Sequence, residues 1–236
     1  MEISYYRTHS KLFEIIWPKQ ISPETLKQQL RLKSYLEKEY GDGIKEIRMG
    51  FNTLSLRLNL DISNQECFEL IEEMKSLPME DFDFQSKTWK IPVCYDEIFG
   101  KDLNKLSEMH NLSKEEIIHI HQLNPYTLHF YGFLPGFMYL GGLDERLFSP
   151  RKEKPDPLIT SGTVAIGGQQ TGIYPMDSPG GWHALGKSPV RLFNIQQNPP
   201  CPAQIGDKIQ FVPISKEEFY QIENKTKTGE YILNHD

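Results

Sequence analysis

The chain has 236 residues, with 26 Lys and Arg against 32 Asp and Glu, a formal net charge of −6, 38% hydrophobic and 25% charged residues. That balance predicts a soluble globular protein with chain enough for one large core or two modest ones; no run nears the ~20 apolar residues of a membrane helix, and the acidic charge does not suit a nucleic-acid binder, whose affinity rests on neutralising phosphates. Cys67, Cys94 and Cys201 are widely spaced and form no CxxC pair, and the N-terminus lacks the basic and apolar regions of a signal peptide, so a reducing, cytoplasmic setting is expected.

The first third alternates strand and helix patterns. Leu12 to Trp17 is an apolar run of strand length. Ser22-Pro23-Glu24 supplies an N-cap, a proline at the first helical position and an acid in the first turn. Leu26, Leu30, Leu36 and Tyr40 then recur near helical spacing until Gly41-Asp42-Gly43. Ile44 to Met49 reads as a second strand. Leu54, Leu56, Leu58 and Leu60 alternate with polar residues, the signature of a half-buried third. Ser63 and Glu66 form a capping box, followed by Phe68, Leu70, Ile71 and Met74 on a second helix. The order β-α-β-β-α predicts a small ferredoxin-like α+β domain over residues 1–86, its last strand unassigned.

A second unit, residues 87–236, opens with alternating Trp89, Ile91 and Val93. Helices are expected near 101–110 and 114–122, the latter with a Ser113–Glu116 capping box. From Tyr131 to Arg191 the texture changes: eleven of the 17 glycines fall here, between short β-type runs. Helices do not tolerate that density, so a loop-rich β-barrel or sandwich is predicted, with strands at Thr163–Ile166, Arg191–Ile195 and Lys208–Ile214. The tail from Lys216 reads as a short helix and a loosely held end.

Chemistry concentrates in the glycine-rich part. Aromatics and glycines interleave from Tyr131 to Leu143; they suit either a flat-walled ligand site or tight turns with core aromatics. Arg146, Arg151, Lys152 and Lys154 make a cationic stretch in an acidic protein, either a solvated loop or a carboxylate or phosphate site with Arg151 as the fork. Gly167-Gly168-Gln169-Gln170-Thr171-Gly172 offers turn amides for an anion nest but lacks the Lys-Ser/Thr of a phosphate loop. Ser178-Pro-Gly-Gly-Trp182-His183 is the other dense cluster; His183 is a general-base candidate or a turn residue. His119 and His121 diverge on a helix and lack companions at zinc spacing, so no metal site is expected.

Together, Gly132 to Asp144, Pro150-Arg151, Gly172-Ile-Tyr-Pro175 and Ser178-Pro-Gly-Gly-Trp182, with the upstream Ile91-Pro-Val-Cys-Tyr95, Phe99-Gly100 and Asp102-Leu103, resemble the family of 5-oxoprolinase B-type subunits. That family, of the carboxyltransferase domain type, is also labelled allophanate hydrolase subunit 1 and includes the sporulation kinase inhibitor KipI. The resemblance implies a small α+β N-terminal domain followed by a cyclophilin-like β-barrel. It implies a hydrolase subunit that acts with a larger C-type and an A-type subunit to open 5-oxoproline, a cyclic amide, to glutamate. ATP with magnesium would be the cofactor, and no activity is expected from this chain alone. At family-like positions Arg151 would hold an anionic oxygen, Gln170 and Tyr174 would make polar contacts, Phe137, Tyr139 and Trp182 would wall the pocket, and His121 and His183 would move protons. Where the family usually places a second arginine this chain has Asp156, which puts a two-arginine clamp in question. The alternative reading is a regulator that binds a sensor histidine kinase through a surface patch. A peptidyl-prolyl isomerase is suggested only by barrel architecture, and fold does not carry function.

Overall fold

The computed structural model describes residues 2–19, 22–77 and 85–236, and the chain separates into two compact units, Met1–Gln85 and Ser86–Asp236. The first unit contains β1 (Ser4–His9), β2 (Leu12–Ile16), α1 (Pro23–Tyr40), β3 (Ile44–Met49), β4 (Thr53–Leu58) and α2 (Asn64–Ser76). Local signals set the helix starts as expected. The Ser22 side chain accepts the Thr25 N–H, and Ser63 and Glu66 close a reciprocal capping box. Leu26, Leu32 and Leu36 of α1 and Cys67, Ile71 and Met74 of α2 are buried, whereas Phe68 is 49% exposed.

Strands β2, β3 and β4 follow the predicted order and lie in an antiparallel sheet arranged β1-β2-β4-β3. The strand left unassigned comes from the front of the chain. β1 pairs antiparallel with β2, at the edge where the last strand of a β-α-β-β-α-β unit would lie. Its exposed, mixed residues (Tyr6 is 61% exposed) leave no clean alternation to read.

The second unit contains β5 (Thr88–Val93), α3 (Leu103–His110), α4 (Lys114–Gln122), β6 (Tyr126–Tyr131), β7 (Met138–Gly141), β8 (Asp156–Ile159), β9 (Thr163–Gly167), β10 (Gln170–Ile173), β11 (Ser178–Gly180), β12 (His183–Lys187), β13 (Lys208–Pro213) and α5 (Lys216–Thr228). Seven strands form one sheet in the order β12-β9-β10-β7-β6-β13-β5; β8 and β11 pair separately. Cys94, just past the end of β5, and Lys187, the last residue of β12, exchange backbone hydrogen bonds of 2.9 Å in both directions, which curls the sheet into a nearly closed barrel. Side chains of Ile91, Val93, Leu128, Met138, Leu140, Val164, Ile166, Leu185 and Phe211 fill its core. The mixed α+β class with a barrel agrees with the expectation.

Two local expectations are overturned. Arg191–Ile195 is not a strand: the segment turns, with Asn194 N–H donating to Pro200 O at 2.8 Å and Gln197 N–H to Asn194 O at 3.0 Å. The prolines that follow lack the N–H groups a ladder needs. Nor is the tail end loose. After α5, Thr88 and Asp236 exchange backbone hydrogen bonds, Lys90 N–H donates to Asn234 O, and His235 packs edge-on against Trp89, so the terminus lines β5.

The seam yields a prediction. A Cβ on Gly186 would stand 2.6 Å from the Cys94 carbonyl oxygen, so Gly186→Ala must push the closing pair apart. It should lower unfolding free energy by about 1–3 kcal/mol in urea titration, as overpacking does, whereas Gly43→Ala, with nothing within 4 Å of its Cβ, should stay within about 0.5 kcal/mol.

Candidate functional site

On the sheet face opposite the barrel core, strands β7, β9 and β10 present small or aromatic residues. Side chains alternate across a strand, so Met138 and Leu140 face inward while Phe137 and Tyr139 face out. Likewise Val164 and Ile166 point in, while Ala165 and Gly167 lie opposite. Phe137, Ile159, Ala165, Tyr174 and Trp182 form a separate buried cluster there. Trp182 lies against the sheet because Gly167 and Gly172 have no side chains: a Cβ would stand 2.6 Å from the indole at Gly167 and 3.0 Å at Gly172. The two glycines thus serve as a platform for an aromatic ring, and Gly168, at φ +64°, turns the chain between β9 and β10.

Above this cluster opens a cleft of about 270 Å³ lined by Phe133, Phe137, Tyr139, Arg151, Tyr174 and Trp182, with Pro155 and the Pro179–Gly181 backbone. Phe137 meets Tyr174 and Trp182 edge-on, with ring centroids 4.9 and 5.4 Å apart. Among the described residues Arg151 is the single charged one lining the cleft, its guanidinium carbon 5.8 Å from the Trp182 ring centroid. It has no carboxylate partner among the described residues. Two of its neighbours in the cationic stretch are otherwise engaged: Arg146 is held bidentately by Asp144, and Lys152 by Asp102 and Asp156. Burial raises the Tyr139 hydroxyl, against the opposing pull of Arg151, and pushes Tyr174 up to about 12. Both are therefore neutral O–H donors at physiological pH.

Five of the expected binding residues thus converge: Phe137, Tyr139, Arg151, Tyr174 and Trp182. Gln170 does not line the cleft. It starts β10 opposite Gly167, half-buried, with its Nε2 lacking a hydrogen-bond partner. Asp156 faces away from the cleft toward Lys152 and Lys101, at 2.6 and 3.1 Å. Desolvation raises its pKa, but the two lysine hydrogen bonds outweigh that and hold it below the ordinary carboxylate value.

The two histidines are elsewhere. His121 sits inside the barrel, its Nδ1 3.0 Å from the Tyr95 hydroxyl and Nε2 2.8 Å from Thr171 Oγ1, its ring stacked on Phe211. Burial lowers it to about 3, so it stays neutral. Placing it with the cleft chemistry is corrected: on α4 it faces the core, where its two ring nitrogens are satisfied. His183 is buried beside the cleft but does not line it; its Nε2 donates to Pro150 O at 2.9 Å, which directs that nitrogen to the backbone rather than to a ligand. Sequence reasoning missed Phe133, at the cleft mouth, 61% exposed and at φ +63°. Its place between Gly132 and Gly136 was visible, but an αL phenylalanine is not legible from composition.

Comparisons with known proteins show what the chain as a whole is similar to. Residues 1–203 match the sequence profile of the carboxyltransferase domain, subdomain C and D. The chain is 43% identical over 150 residues to the B-type subunit of Bacillus subtilis 5-oxoprolinase, an overlap of 64% of this chain and 62% of that protein. It is 35% identical over 191 residues to the B-type subunit of Haemophilus influenzae 5-oxoprolinase, covering 80% of this chain and 89% of the relative. The aligned stretch thus spans under two thirds of the first relative and most of the second. The crystal structure of Kluyveromyces lactis urea amidolyase aligns over 99% of this chain and 16% of its own, with TM-score 0.83 and 16% identity, a likeness of fold.

The buried histidines make stability depend on acid. Desolvation lowers His121 to about 3, and desolvation with nearby Lys208 lowers His129 to about 4, both from 6.5. The unfolded chain therefore binds protons the folded chain refuses: this stability is full above pH 6.5 and is lost as pH falls toward 3. Urea midpoints should decline through that window, and His121→Gln should flatten the decline while lowering the midpoint at pH 7.

Proposed function

The chain belongs to the carboxyltransferase subdomain C and D family, among the B-type subunits of 5-oxoprolinase, and from that premise we propose that it is the B-type subunit of a hydrolase complex that opens 5-oxoproline to glutamate. The observation that supports this reading most is Arg151: a guanidinium without a carboxylate partner among the described residues, laid over Trp182 in an aromatic cleft of about 270 Å³. 5-Oxoproline is a small flat ring with one carboxylate and a neutral lactam. Its carboxylate pairs with the Arg151 fork, its ring lies against Phe137 and Trp182, and the Tyr139 and Tyr174 hydroxyls donate to the lactam oxygen. A single cation suits a single carboxylate. Asp156, paired to two lysines, adds no second positive charge.

Hydrolysis requires that water add to the lactam carbonyl carbon, the C–N bond break and the nitrogen take up a proton. Lactam resonance opposes the first step, and ATP supplies the activation of the lactam oxygen in the reaction the family implies. The cleft residues do not fit ATP. They include one cation, no carboxylate to hold magnesium and no phosphate-cradling loop, and the volume is below that usual for a ligand of that size. In this proposal ATP binding and proton transfer fall to the C-type and A-type partner subunits, and this chain contributes substrate binding and orientation.

Reconstitution with C-type and A-type subunits tests the proposal. Arg151→Ala should reduce kcat/KM for 5-oxoproline by about 10- to 100-fold, the worth of one charge-assisted hydrogen-bonded pair, with the fold unchanged by circular dichroism. Unchanged kcat/KM would remove Arg151 from the site. An affinity pull-down that returns a histidine kinase and no C-type subunit would replace the enzyme reading with the regulatory one.

A further inference from the structure

The loop that carries Arg151 is held on both sides of that residue. Before it, the Pro150 carbonyl oxygen accepts from His183 Nε2 at 2.9 Å. After it, the Lys152 N–H donates to Gly181 O at 2.8 Å, one residue before Trp182. The Lys152 side chain, 8% exposed, runs away from the cleft and places its ammonium 2.6 Å from both Asp102 Oδ2 and Asp156 Oδ2. Asp102 is itself fixed to the barrel wall: its N–H donates to Ala184 O at 3.2 Å and its Oδ2 accepts the Ala184 N–H at 2.7 Å.

Asp102 stands at the N-cap of α3, where an aspartate ordinarily bonds the free N–H groups of the first turn. It makes no such bond. Its carboxylate turns instead to Lys152 and to β12. A buried ammonium between two carboxylates is costly to desolvate and weak evidence for stability as such, but it is directional. Together with the Gly181 contact it fixes where the residue before Lys152 stands relative to the residue after Gly181, which are Arg151 and Trp182.

We infer that Lys152, clamped between Asp102 and Asp156, is a positioning residue that sets Arg151 over Trp182 and so presents the guanidinium to the anionic group of a ligand, with His183 acting on the other side through Pro150. This rests on the reading of Arg151 as the carboxylate-binding group, and it deepens that reading by assigning the buried charges behind the cleft to orientation rather than to chemistry.

Two readouts separate the inference from its premise. The first needs no substrate: the rate at which phenylglyoxal modifies Arg151 in the full chain, followed by peptide mass spectrometry. Lys152→Met should speed modification about three-fold or more as the loop opens. Asp156→Asn, which keeps the Asp102–Lys152 pair, should act in the same direction and serves if Lys152→Met does not fold. The second is kinetic, in the reconstituted complex. Each variant should raise KM for 5-oxoproline by about ten-fold with kcat within about two-fold, and neither should add to the effect of Arg151→Ala, because each acts through that residue. Unchanged Arg151 modification in both variants, or KM effects that persist in full on the Arg151→Ala background, would overturn the inference. Should Arg151→Ala alone leave KM unchanged, the carboxylate-binding reading fails, while the modification rates still decide whether Lys152 positions Arg151.

Discussion

Closure of the seven-stranded sheet is the constraint on which the second unit depends. An open sheet would leave the outer edge of β12 and the far end of β5 with unpaired backbone groups and a core exposed between them. The two reciprocal hydrogen bonds between Cys94 and Lys187 bring those edges together, and Gly186 lets the backbones approach to a distance no side chain would allow. Once the sheet curls, every strand acquires an inside and an outside. The inside takes the aliphatic core and the neutral His121; the outside of β7, β9 and β10 is left to carry aromatics and glycines. The terminal residues, paired along β5 beyond α5, add to that edge.

The cleft follows from this division. It lies on the outer wall, where Trp182 needs a flat surface and finds one over Gly167 and Gly172. Two loops complete it, one bearing Phe133 at a left-handed φ and one bearing Arg151. The resulting surface is apolar with one cation and two neutral hydroxyls, a composition suited to recognising a small anion and poorly suited to moving protons or binding a nucleotide. That limited chemistry fits the proposed role of orienting a substrate.

The first unit shows how topology completes a pattern that the chain presents out of order. Its two helices and three of its strands follow one another as a ferredoxin-like unit does, yet the fourth strand precedes them all. Sheet pairing depends on edges and registers, not on chain order, so a hairpin partner at the front fills the same position as a strand at the end.

By itself the sequence determined the features governed by interactions within a few residues. Ser22, Ser63 and Ser113 start their helices because each cap bonds an N–H three residues on, and Leu54, Leu56 and Leu58 declare β4 by alternation. It also marked Phe137, Tyr139, Arg151, Tyr174 and Trp182 as chemically distinctive. Only the tertiary structure decided what these residues do together. It brought the five to one cleft from β7 and its start, the end of β10 and the loops bearing Arg151 and Trp182, left Gln170 aside, and put His121 in the core. It also turned Asp156 from a broken clamp into a lysine partner, and it withheld a ladder from Arg191–Ile195 while granting a pairing to the tail. The reason is physical: a cap is closed by neighbours along the chain, whereas a cleft, a barrel seam and a strand edge are closed by backbone groups many residues apart, and no local pattern records which of them will meet.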